Sequence, residues 1–230
     1  MKNKVGLRVT IYCVGVVFMA LGFILNAKSN LGISPICSFA YCVSHETGTT
    51  FPDMTMCLFI LCFLVALLIR GTKPHWTDFL QLPYCFIFTR VMSAFSAILP
   101  TPDSLAVRII FLALAILSIG LGATITLSMH IIPNPGDYLV NIIGVKANKS
   151  LGLTKNIVDI IIVAMSVALA LICRDNILEC GVGIGTLCTM ILTGRWIAVV
   201  NHFLKDKLRN IYESSPIKWL DAKHDLGIAK

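Results

Sequence analysis

Two proline-headed segments carry the residues best suited to chemistry: Ser34-Pro35 and Asn134-Pro135-Gly136-Asp137. Ser or Asn followed by Pro marks a helix start, since the side-chain oxygen accepts from a first-turn N–H and Pro needs no donor there. Such a start holds unpaired N–H groups and the positive end of the helix dipole, so it attracts phosphate, sulfate or carboxylate. The plainer reading is a helix beginning at a loop. Asp137 stands in the first turn, where an acid stabilises its own helix; inside a membrane it would serve a cation or a proton. Asp159, in NIVDIIIVAMS, and Arg90, in FIFTRVMSAF, are charges within apolar runs. Charges so placed face a cavity or a partner, and Arg90 is expected to pair with Asp159 or Asp137 or to meet an anionic solute. The candidate substrate-binding set is Ser34, Pro35, Asn134, Pro135, Gly136, Asp137, Asp159 and Arg90. No arrangement of nucleophile and base accompanies it, so no catalytic residue, cofactor or metal is expected. The glycines of GVGIG (181–185) follow no strand and read as close helix packing rather than nucleotide binding.

The elements that must position these residues are set by composition. Of 230 residues, 57% are apolar and 13% charged, where a soluble domain carries roughly 25% charged residues. The apolar residues fall in six blocks, 6–27, 53–70, 78–99, 106–128, 154–173 and 182–203. Each approaches the roughly 20 residues a helix needs to cross about 30 Å of hydrocarbon. Two shorter pieces, SPICSFAYCVS and NPGDYLVNIIG, cannot span and are expected to be re-entrant or broken helices. The first block is too long for the core of a signal peptide and reads as a retained helix. The net charge of +7 comes from loop and terminal Lys and Arg with no basic stripe, which argues against nucleic acid. Six of the cysteines lie inside apolar runs, where Cys behaves as a small hydrophobe.

The chain also repeats itself. Arg8 and Arg108, Gly22 and Gly122, and Pro35 and Pro135 stand 100 residues apart, and Arg70 and Arg174 stand 104 apart. Residues 1–103 and 104–204 therefore form two transmembrane repeats, followed by a basic tail over 205–230. An odd number of spans per repeat turns the second copy over, the inverted topology of many secondary transporters. Lys2, Lys4, Arg8, Arg70, Lys73, Lys146, Lys149, Lys155 and the tail then share one side. By the positive-inside rule that side is the cytoplasm, and it holds both termini.

LGISP after the first span, NPGDYLVNIIG after the fourth and GVGIGTL entering the last together resemble the YczE/YitT-type bacterial membrane proteins over residues 5–204. The resemblance implies a multi-pass protein of the bacterial cytoplasmic membrane and names no substrate. The expected fold is an all-α membrane protein of about six transmembrane helices, arranged as two inverted three-helix repeats with a short re-entrant or broken helix in each. The expected partners are the lipid bilayer and a small-molecule or ion solute, an anion being the first choice, with a homo-oligomer left open. The expected function is a secondary transporter or permease with its site between the repeats; the alternative is a non-transporting scaffold or accessory subunit.

Overall fold

The computed structural model describes residues 2–71, 76–173 and 180–214, with side chains described for all but residues 2–4 and 151. The basic tail beyond Ser214 and the loop charges Lys73, Arg174, Asp175 and Glu179 lie outside the described residues. The described chain is helical throughout: α1 (Lys2–Lys28), α2 (Pro35–Thr47), α3 (Phe51–Arg70), α4 (Gln81–Ile98), α5 (Leu105–Met129), α6 (Pro135–Ala147), α7 (Leu151–Cys173) and α8 (Ile184–Glu213). One 3-10 turn, Trp76–Leu80, leads into α4. Helix starts follow the sequence signals. Thr50 and Ser104 accept from the backbone N–H groups of Asp53 and Val107, and Pro heads α2 and α6.

Five described helices are long and apolar enough to cross a membrane: Val5–Lys28, Phe51–Arg70, Leu105–Met129, Gly152–Cys173 and Ile184–Glu213. This differs from the six expected blocks. The third block forms α4, whose 18 residues reach about 27 Å and include the polar Gln81 and Arg90. The last block continues beyond 203 to Glu213 through Lys205, Lys207 and Arg209, giving α8 a polar end.

The distribution of side chains is that of a protein in lipid. Leu68, Ile98, Ile172, Ile184 and Phe203 are each more than 70% exposed, whereas Arg8, Asn26, Ser38, Asp78, Thr89 and Ser166 are wholly buried. In water so many bare large apolar residues would drive association. In hydrocarbon they face their natural solvent, and polar groups turn inward to find partners.

The centre of the bundle is the antiparallel pair α1 and α5. Arg8 Nε donates to the Met129 carbonyl at 2.9 Å at one end, and Lys28 Nζ donates to Thr101 Oγ1 at 3.3 Å at the other. Between them the backbones approach through glycine. A Cβ on Gly22 would lie 2.6 Å from Ile119, and one on Gly122 would lie 2.7 Å from the Met19 backbone nitrogen. These two contacts are mirror images, because Met19 and Ile119, like the glycines, stand 100 residues apart.

The same spacing runs through the local structure. The short helices have matching bounds, and the left-handed residues that end the helices recur as Asn30 with His130 and Gly48 with Asn148. Packing is reciprocal: α2 lies on α7 and α3 on α6, while α1 lies on α4 and α5 on α8. Gly122→Ala should therefore lower stability in detergent by about 1–3 kcal/mol, the usual cost of overpacking. Gly194→Ala, with nothing within 4 Å of the added carbon, should be neutral or stabilising. Thermal unfolding of the two variants checks this.

Candidate functional site

The two short helices begin against each other. Pro35 and Pro135 are both buried, and the tip of the Ile36 side chain fills the space beside Gly136, 2.4 Å from where a Cβ would sit. From this junction the helices diverge. The end of α6 reaches the end of α3, where Lys146 Nζ donates to the Ile69 carbonyl at 2.6 Å. The end of α2 reaches the approach to α8, where Cys180 Sγ lies 3.9 Å from Glu46 Oε1.

Beside the junction opens a cavity of about 510 Å³, with Ser34, Pro35 and Ile36 from one half and Asn134, Asp137, Lys155 and Asp159 from the other. Its volume falls in the range of small-molecule sites. Met19, Phe23, Ile119, Ile131, Met190 and Ile197 supply apolar wall. The charges gather at one end. Lys155 Nζ donates to Asp137 Oδ1 at 3.3 Å, with the two side chains 42% and 33% exposed. Asp159 stands four residues along α7 from Lys155, is 4% exposed, and has an Oδ1 with no hydrogen-bond partner.

The helix starts are held differently. Asn134 Oδ1 accepts from Gly136 N–H at 3.0 Å, so α6 is capped by its own preceding residue and flanked by Asp137. The expected start open to an anion is not found at α6, because its cap and its acid occupy that role. Ser34 makes no side-chain cap to α2. Its N–H instead donates to Asn26 Oδ1 of α1 at 2.6 Å, which fixes where α2 begins.

Of the eight expected residues, Ser34, Pro35, Asn134, Asp137 and Asp159 line the cavity. Pro135 and Gly136 are buried and do not line it. Arg90 is the correction. It lies on α4 away from the cavity, paired with Asp53 at the start of α3, with the two side chains 44% and 41% exposed. Sequence spacing could not show that Asp53 was the nearer acid. Lys155 stands among loop charges in the sequence, yet its long stem carries the ammonium to Asp137. Asn26 and Tyr138 also went unnoticed. Tyr138 lines the cavity and accepts from Arg70 Nη1 at 3.2 Å, while Arg70 reaches Asp78 Oδ2 at 2.9 Å. The Tyr138 hydroxyl in turn donates toward Asp78 Oδ1 at 3.5 Å.

A second cluster lies at the far end of α2, where ligand atoms of Cys42, Glu46 and Cys180 sit within 4.8 Å of one another. Cys42 and Glu46 share a helix face at i, i+4, but Cys180 is too distant in sequence for any spacing rule to find it.

The fold and the side-chain distribution define an all-helical, multi-pass membrane protein. Residues 6–202 match the family of unknown function DUF6198, and the chain belongs to that family. It is 26% identical over 195 residues to the uncharacterized membrane protein YczE of Bacillus subtilis (strain 168), covering 84% of this chain and 85% of that one. It is 25% identical over 206 residues to the uncharacterized protein YyaS of the same organism, covering 86% of this chain and 96% of the relative. The YczE-type resemblance is thereby borne out over nearly the range that carried it. No solved structure matches the chain.

Two outcomes are expected from the charge pairs. Arg90→Gln leaves Asp53 its hydrogen bond from Thr50 Oγ1 at 2.6 Å and touches nothing in the cavity, so it should lower thermal stability less than Lys155→Met does. Lys155→Met leaves Asp137 and Asp159 without their cation, so it should destabilise more than Asp137→Asn does. The double variant Lys155→Met/Asp137→Asn should recover part of that loss, and unfolding scans on the three variants decide it.

Proposed function

We propose that the chain is a small-solute secondary transporter whose site lies between two inverted repeats, each of three spans and a re-entrant helix, with α4 as the sixth span. The observation that carries the reading is the cavity at the meeting of two helix starts, lined from both halves and ending at a buried carboxylate. Transporters of this architecture bind at discontinuous helices near mid-membrane and expose the site alternately by rocking one repeat against the other. The antiparallel α1 and α5, the reciprocal glycine contacts and the matching left-handed caps support the repeats. Lys155, Asp137 and Asp159 support a solute site, since charge within a membrane is costly and is kept where it has a use. Nothing in the cavity pairs a nucleophile with a base, so the reading is of binding and passage rather than of an enzyme.

The orientation follows from which ends meet. Arg8 stacks 4.6 Å from the Tyr212 ring centroid, so the start of α1 and the end of α8 lie together. With Arg70 and Lys146 gathered at the end of α3, the positive-inside rule puts this face and both termini in the cytoplasm of a bacterial cell. A fluorescent protein fused after Lys230 should glow and a periplasmic phosphatase fused there should stay inactive. The reverse pattern rules the orientation out.

The test of transport is uptake into vesicles reconstituted with the purified full chain. A defined mixture of amino acids, organic amines, carboxylates and phosphate is presented outside, and the contents are counted by mass spectrometry. At least one solute should accumulate above empty vesicles, and Asp159→Asn should abolish that accumulation. Contents equal to those of empty vesicles for every solute would favour the scaffold instead.

A further inference from the structure

The charged end of the cavity is unbalanced. Its lining holds two carboxylates, Asp137 and Asp159, and one ammonium, Lys155; the other ionisable groups there are His130 and Tyr138. Lys155 is engaged by Asp137, which leaves Asp159 as the excess charge, buried and with an oxygen that bonds to nothing. The helix starts do not reverse this sign. That of α6 is closed by Asn134 and faced by Asp137. In the first turn of α2, Pro35 has no N–H, and Cys37 N–H turns back to the Ser34 carbonyl at 2.9 Å.

A carboxylate or phosphate entering this end would meet two like charges. A sugar could bond to Thr126, Asn141 and Thr193 of the wall, but it would lay its other hydroxyls against Met19, Phe23, Ile119, Ile131 and Ile197, which offer no partner. A cation with an apolar body answers both features at once. Its head completes the orphaned carboxylate, where an unmade hydrogen bond in low dielectric is costly. Its body covers the apolar side chains of the wall.

We infer that the cavity binds a monovalent organic cation of the primary-ammonium type with an apolar body, its ammonium on Asp159 and its body along Met19, Phe23, Ile119 and Ile197. This rests on reading the cavity as the solute site, and it narrows the solute from any small molecule to one class. The Asp137–Lys155 pair then acts as the neutral neighbour that keeps the end from attracting a second cation.

The test is binding to the purified full-length protein in a nonionic detergent, with three probes of similar size and one difference in charge. These are 2-phenylethylammonium, 3-phenylpropanoate and 2-phenylethanol. The ammonium should raise the melting temperature in a saturable way, while the carboxylate and the alcohol leave it unchanged at equal concentration. Asp159→Asn should weaken ammonium binding by tenfold or more, Asp159→Glu should retain much of it, and Arg90→Gln should bind as the parent does. If Asp159→Asn does not fold, Ile197→Trp serves, since it fills the apolar end and should weaken the ammonium without altering charge. No shift with the ammonium, an equal shift with either of the other two probes, or undiminished binding in a folded Asp159→Asn (in Ile197→Trp where Asp159→Asn does not fold) overturns the inference. Uptake into vesicles separates it from the broader reading. Selective ammonium binding without accumulation removes transport and leaves the cation site standing, whereas Asp159-dependent accumulation of a carboxylate removes the cation site and leaves transport standing.

Discussion

Everything in this molecule hangs on how closely α1 and α5 approach. Within lipid the hydrophobic effect gives helices little reason to associate, because hydrocarbon tails are as apolar as leucine. Association must come from dispersion at short range and from polar groups with nowhere else to go. Gly15, Gly22 and Gly122 remove the side chains that would hold the two backbones apart, and each added Cβ would collide with the opposite helix. Dispersion then acts along the whole seam, with the Ile119 side chain against Gly22 and the Met19 backbone against Gly122. Arg8 closes one end by donating to the Met129 carbonyl at the end of α5, a group that helix geometry leaves without an internal partner.

That seam fixes the short helices. Each follows a left-handed residue at the end of a seam helix, Asn30 after α1 and His130 after α5, and returns into the protein at Pro35 or Pro135. Irregular backbone at membrane depth survives only where protein satisfies its polar groups. Here the partners are specific. Ser34 N–H goes to Asn26, Gly136 N–H to Asn134, Ile33 N–H to the Gly181 carbonyl and Gly185 N–H to the Leu31 carbonyl. The last two tie the approach to α2 to the approach to α8, so the linker before the first short helix is part of the packed structure. Gly32, at φ +126°, is needed there both for its backbone conformation and because a Cβ would strike Thr186. The cavity is thus bounded by backbone held on both sides, while its volume is left to side chains.

The helices, the two short segments and the 100-residue spacing were legible in the sequence because each leaves a local mark. Apolar runs mark the spans, a polar residue before Pro marks a start, and Arg, Gly and Pro recur in order. Pairings between distant residues leave no such mark. Arg90 looked like a membrane charge in search of Asp159, but α3 and α4 pack together and bring Asp53 to it first. Lys155 was hidden for the opposite reason. It lies near a helix start among basic loop residues, and only the fold shows its stem running along α7 toward Asp137. Asn26 carried no signal at all, being one polar residue near the end of a long apolar helix.

The 100-residue spacing that relates the short helices does not extend to the charges. Counted from the helix starts, 100 residues separate Cys37 from Asp137, Thr55 from Lys155 and Phe59 from Asp159, and all three residues of the first half are fully buried and uncharged. Counting back from the helix ends at 104 residues sets Lys155 and Asp159 against Phe51 and Thr55, which again carry no charge. Thr55 bonds to the Phe51 carbonyl of its own helix, so this half has satisfied its polar groups internally. The second half has placed an ion pair and a lone carboxylate at the same depth. Charges duplicated along with the frame would set four carboxylates around one cavity, a repulsion that low dielectric would magnify.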